Sequence, residues 1–202
     1  YVGVAIILAM ILAATYLFML LFVPQMLHAG KNAFVMLIAA VITLTMSLLF
    51  GQYIAVDAMP VMLSAMLVVN LLGARPAYLL NFALSMLIAF LTVTGPGLDT
   101  SQMLSVLLMT NVGGMLSIYL LRRYPARVHV FVTGLVVGVV NVALLLCISA
   151  FMSGNDGTVF QIVMHAMLGA FTASIMCVGL QPILEVAFNL VTPSKLIELS
   201  KQ

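Results

Sequence analysis

Few side chains in this sequence are of types that do chemistry, and their spacing decides what they can do. The three histidines, His28, His129 and His165, lie far apart along the chain. No HExxH pair, His-Asp dipeptide, GxSxG elbow or glycine-rich phosphate loop is present, so metal-dependent and nucleophilic catalysis have no seat. Cys147 and Cys177 sit inside apolar runs, without the spacing of a metal knuckle or a redox pair, and read as small packing residues. The five carboxylates, Asp57, Asp99, Asp156, Glu185 and Glu198, form no set with ligand spacing. The chain is therefore expected to carry no catalytic residue, no bound cofactor and no metal.

What remains is a set of polar residues embedded in apolar sequence. Asn70, Asn81, Asn111, Asn141 and His165 each interrupt a hydrophobic run. Side-chain amides there either line a polar cavity or tie helices together by hydrogen bonds. An ionisable group such as His165 inside a membrane segment invites a functional reading, beside the simpler one of a neutral imidazole bonded to a neighbouring helix. Asp57 and Glu185 fall near the ends of apolar runs, where each is expected to reach water. Gly134-xxx-Gly138 and Gly169-xxx-Ala173 give two helices small faces for close approach within the chain, and such faces also suit a homodimer.

These residues need elements to hold them, and composition says which kind. Of the 202 residues 65% are hydrophobic and 6% are charged, with a mean hydropathy of +1.30. Twelve charged side chains cannot cover the surface of a water-soluble domain of this size, so the solvent is the bilayer. The net charge of +2 and the dispersed Lys and Arg exclude a nucleic-acid-binding face. Marking stretches of about 20 apolar residues between polar breaks predicts an all-α polytopic bundle of about seven transmembrane helices. They are Val2–Val23, Ala33–Phe50, Tyr53–Leu72, Ala77–Thr94, Met103–Leu121, Val128–Met152 and Thr158–Gln181. The breaks carry turn residues, as in Gly73-Ala74-Arg75-Pro76 and Ser153-Gly154-Asn155-Asp156-Gly157. No internal repeat is visible, which weighs against many transporter folds.

All seven Lys and Arg fall on one side of this arrangement, at Lys31, Arg75, Arg122, Arg123, Arg127, Lys195 and Lys201. The rule that basic loops stay inside then predicts an extracytoplasmic N-terminus and a cytoplasmic C-terminus. Tyr1-Val2-Gly3 lacks an initiator Met and a charged leader, and Leu199-Ser200-Lys201-Gln202 breaks off a polar helical pattern. The chain is accordingly expected to be a piece of a longer protein. Residues 1–190 would form the membrane domain and 191–202 the start of a cytoplasmic linker helix. Pro182 can kink the last span, and Thr192-Pro193 offers an N-cap followed by Pro at the first helical position. Pro182, Thr192 and Pro193 are thus the candidate signal-transmitting hinge.

The run Gly179-Leu180-Gln181-Pro182-Ile183-Leu184-Glu185, followed by Val191-Thr192-Pro193-Ser194-Lys195-Leu196-Ile197-Glu198-Leu199-Ser200, resembles a known junction. It is similar to the membrane exit of bacterial seven-transmembrane receptors with an intracellular HD hydrolase, a family that includes the PgpH-type cyclic-di-AMP phosphodiesterases. Met59-Pro60, Asn111-Val112-Gly113-Gly114, and Arg122-Arg123 before Gly134-Leu135-Val136-Val137-Gly138 extend the resemblance over most of the chain. Lys201-Gln202 stands where the family usually has Asn-Pro. The resemblance implies an extracytoplasmic sensor before Tyr1, an HD phosphodiesterase after Gln202, and location in the bacterial cytoplasmic membrane. It also implies divalent metals, Mn or Fe, held in that HD domain alone, so no catalytic residue maps onto this chain.

Two functional classes follow. The first is a membrane anchor and signal-coupling module between the sensor and the HD domain, with the lipid bilayer and those covalently linked domains as its partners. The second is a small-solute binding or transport protein whose cavity is made by Asn70, Asn81, Asn111, Asn141 and His165. A scaffold for cell-envelope assembly is a third, weaker reading.

Overall fold

In a computed structural model of the chain the described residues are Ala13, 30–93, 100–124, 127–152 and 159–189. All regular structure among them is helical. Helix α1 spans Gly30–Tyr53, a 3-10 turn Val56–Ala58, α2 Leu63–Leu72 and α3 Ala74–Val93. Then come α4 over Thr100–Leu108, a π-helical turn over Met109–Gly113, α5 over Gly114–Arg123, α6 over Arg127–Met152 and α7 over Val159–Phe188. The π turn joins α4 and α5 into one rod. Five stretches are long and apolar enough to cross a bilayer: Gly30–Tyr53, Ala74–Thr92, Gln102–Arg123, Arg127–Phe151 and Val159–Phe188. Five of the expected spans fall on these; Val2–Val23 lies outside the described residues except for Ala13, as do Thr192 and Pro193.

Each long helix turns one face to protein and leaves the other apolar and open. In α1, Val35, Ala39, Thr43 and Ser47 recur every fourth residue and are buried, whereas Phe34, Leu37 and Val41 are exposed. In water such a surface would aggregate; in a bilayer it is where lipid tails pack. Membrane helices gain little from hydrophobic contact with one another, so close fit must hold them together. The α6–α7 pair shows how. A Cβ at Gly134 would collide with the Ser174 side chain, and one at Gly138 would stand 2.9 Å from Met167 Sδ. The small-residue face thus packs within the chain. Gly134→Ala is expected to cost about 1–2 kcal/mol by overpacking. Because the colliding atoms are the Ser174 hydroxyl and, at 2.9 Å, the Ser174 Cβ, adding Ser174→Gly, which removes both, should recover most of the packing loss in a thermal melt of the detergent-solubilised chain. Equal melting of the single and double variants would show that the close approach is elsewhere.

The third expected span differs from the structure. Tyr53–Leu72 is not one helix: α1 runs on to Tyr53, Ala55 is extended, the 3-10 turn intervenes, and α2 starts only at Leu63. The cause is local. Pro60 lacks a backbone donor and crowds the residue before it, and Met59 takes the extended conformation at φ −64°, ψ 129°. The ten residues of α2 span only about 15 Å, half a bilayer core. Irregular backbone at such depth is tolerated only inside protein. Leu63 to Val69 are all buried, as are Ala58, Met59 and Val61. Gly73 ends α2 at φ 97°, and its N–H bonds back to the Val68 carbonyl, a left-handed cap that only glycine takes without strain.

Candidate functional site: polar groups inside the bundle

The structure sorts the five intramembrane polar residues singled out by sequence into three places. Asn81, Asn111 and Asn141 gather at the π turn. Gly113 and Gly114 close that turn, and without side chains they let two amides approach the backbone. Asn81 from α3 occupies the space a Cβ on Gly114 would need, and Asn141 Oδ1 from α6 stands 3.1 Å from the corresponding point on Gly113. Asn81 Nδ2 donates to the Thr110 carbonyl at 3.2 Å, and Asn111 Nδ2 donates to Ser85 Oγ and to the Leu107 carbonyl, both at 2.9 Å. A π turn interrupts the regular ladder of backbone bonds, and such turns concentrate at functional positions.

Asn70 belongs to a second group, a chain of polar contacts along α7. Its Nδ2 donates to Gln181 Oε1 at 3.4 Å and lies 3.8 Å from Cys177 Sγ. Gln181 Nε2 donates to Glu185 Oε1 at 2.8 Å, and Glu185 Oε2 pairs with Arg127 Nη2 of α6 at 3.7 Å. Glu185 was expected to reach water near the membrane surface; instead it is only 4% exposed and its charge is met by protein groups. That Gln181, Glu185 and Arg127 form a linked group was not expected from sequence. The signal was there, since Cys177, Gln181 and Glu185 recur every fourth residue and lie on one helix face.

The third place is the broken segment. His165 of α7 and Asp57 of the 3-10 turn are both half-buried and within electrostatic reach of each other. Gly169, one turn further along α7, lets the turn's backbone close in. As for the hinge residues, Pro182 lies inside α7, which continues to Phe188 and stops at Asn189 in the left-handed conformation, φ 50°. Among the described residues no group of three or more His, Cys, Asp or Glu could hold a metal ion.

The sequence was compared with known proteins. A stretch of 94 residues, 44% of this chain, is 33% identical to the cyclic-di-AMP phosphodiesterase PgpH of Listeria monocytogenes and covers 13% of that protein's length. No solved structure matches the chain. The family described as 7TM receptor with intracellular HD hydrolase matches residues 1–192. Helices that can cross a membrane, polar groups held within their bundle and a match over nearly its whole length together place the chain in the family of 7TM receptors with intracellular HD hydrolase.

Proposed function

We propose that this chain is the membrane anchor and signal-coupling domain of a receptor-type HD-domain cyclic-di-AMP phosphodiesterase. Seven helices would cross the bacterial cytoplasmic membrane with the N-terminus outside. An extracytoplasmic sensor would precede residue 1, and a linker helix opening at Thr192-Pro193 would lead to the HD domain. The divalent metals, Mn or Fe, and the hydrolytic residues would belong to that HD domain. A homodimer would pair two such rods of signal.

The observation that carries this reading is the clamp around Pro182. Proline removes one bond from the α7 ladder and weakens it there. Gln181 on one side of it and Glu185 on the other are hydrogen-bonded to each other, and both are tied to neighbouring helices through Asn70 and Arg127. A displacement of α2 or α6 therefore reaches the end of α7 through fixed contacts, as a coupling element requires. The test uses the longer parent protein. Inserting Gly-Gly after Leu190 should abolish the outer domain's influence on cyclic-di-AMP hydrolysis while membrane insertion stays normal. Regulation that survives the insertion unchanged would reduce α7 to a tether.

A second reading, small-solute binding or transport, is favoured by the interrupted third segment. Transporters often build their sites from broken helices near the membrane midplane. It predicts solute binding that is independent of any HD domain.

A further inference from the structure

Asn81, Ser85 and Thr92 follow one another on α3 at intervals of four and seven residues, which puts them within about 40° of one line along the helix. All three are buried. This line faces the α4–α5 rod, because Asn81 bonds to the Thr110 carbonyl and Ser85 accepts from Asn111. The hydroxyls of Ser85, Thr92 and Thr110 donate to carbonyls of their own helices, at Phe82, Ala89 and Val106. Their donated bonds all stay within their own helices, and only Ser85 also accepts a bond across the seam.

Several polar atoms around the π turn are left unmet: Asn81 Oδ1 on the α3 side, and both side-chain polar atoms of Asn141, 0% exposed, where α6 meets the turn at Gly113. Gln102 Oε1, near the start of the rod, is buried in the same condition. With no bulk water at this depth, an unpartnered polar group is strongly unfavourable. The line and the π turn it meets hold no Asp, Glu, Lys, Arg or His, so the missing partner is uncharged. Three orphaned oxygens need a donor, and the orphaned Asn141 amino group needs an acceptor. Water does both and is small enough to be housed between packed helices.

We propose that the seam between α3 and the α4–α5 rod is a water site inside the membrane. It fills from the end of the bundle carrying Thr92 and Gln102, opposite the end with Arg75, Arg122 and Arg123. Ile88, 0% exposed, lies on the same line between Ser85 and Thr92 and shuts the seam in this structure. Its side chain is the gate. Water admitted past Ile88 wets the π turn, where the backbone ladder is already interrupted, and there meets the Asn141 amide that α6 brings against Gly113. None of this depends on the coupling role proposed above.

The test reads water directly. In the full chain with Cys147 and Cys177 replaced by Ala, the infrared S–H band of Ser85→Cys is followed after transfer to D2O in detergent or lipid. Met66→Cys, at a 0%-exposed position in α2, is the dry control. The seam thiol should convert to S–D about tenfold faster than the control or more, and Ile88→Ala should speed it further. Equal, slow exchange at both positions would overturn the proposal. Asn141→Leu in the otherwise unaltered chain gives a second readout that needs no new thiol. In a dry seam, removing an unpartnered buried amide raises the melting temperature; in a wet one, the amide's bonds to water are lost and the melting temperature stays level or falls. A clear rise would also overturn the proposal.

Discussion

Gly169→Val is expected to be among the most damaging single substitutions in the described part of this chain, costing about 3 kcal/mol or more. A Cβ at that position would stand 2.8 Å from the Ala58 carbonyl oxygen, 2.9 Å from the Ala58 carbonyl carbon and 3.1 Å from the Met59 carbonyl oxygen. All three are backbone atoms, so no side chain can rotate aside. Nor can the backbone easily retreat. Pro60 fixes the extended step at Met59, and the turn leads straight into α2, whose first seven residues are all buried. Gly179 on the same helix is the control, because a Cβ there meets nothing within 4 Å. Gly179→Ala should be neutral or stabilising by up to about 1 kcal/mol through helix propensity alone. Thermal unfolding of the two variants in detergent decides. If both melt together, α7 does not hold the broken segment as described.

The second large effect is expected near the C-terminal end of α7. Arg127→Met removes the cation facing Glu185 and leaves a carboxylate that is 4% exposed, with the Gln181 bond still in place. Stranding one charge of a buried pair typically costs 3–5 kcal/mol. The Arg127 side chain is itself 38% exposed, so water can partly replace it and the lower end, about 3 kcal/mol, is expected. The double variant Arg127→Met, Glu185→Leu should regain most of the stability, since apolar side chains can often replace a buried pair at little cost. In the receptor proposed above, that restored fold should still lack regulation, because the link across Pro182 is gone. A single variant as stable as the parent chain would mean that Glu185 does not depend on Arg127.

Much of this was legible before any coordinates. Five of the long apolar runs with few charges are helices long enough to cross a membrane, and Gly73 marks where one run stops. The resemblance at Gly179–Glu185 and Val191–Ser200 named the family that the match over residues 1–192 then showed. The two prolines were harder. Pro60 and Pro182 each interrupt an apolar run, yet the first breaks its segment and the second leaves α7 continuous. Locally they are alike. What differs is the surroundings: near Pro60 the chain packs onto Gly169, whereas Pro182 is flanked by Gln181 and Glu185 with partners on α2 and α6.

The same division holds for the polar residues. Sequence determined that Asn70, Asn81, Asn111, Asn141 and His165 sit in apolar surroundings, because hydropathy is a property of the run around each one. Only the tertiary structure decided that three of them meet at a π turn, one joins Gln181 and one faces Asp57. The reason is rotational. An apolar helix in a bilayer carries no strong amphipathic stripe to say which side faces protein, so its rotation about its own axis is set by the fit of neighbours such as Gly113, Gly114, Gly134 and Gly169.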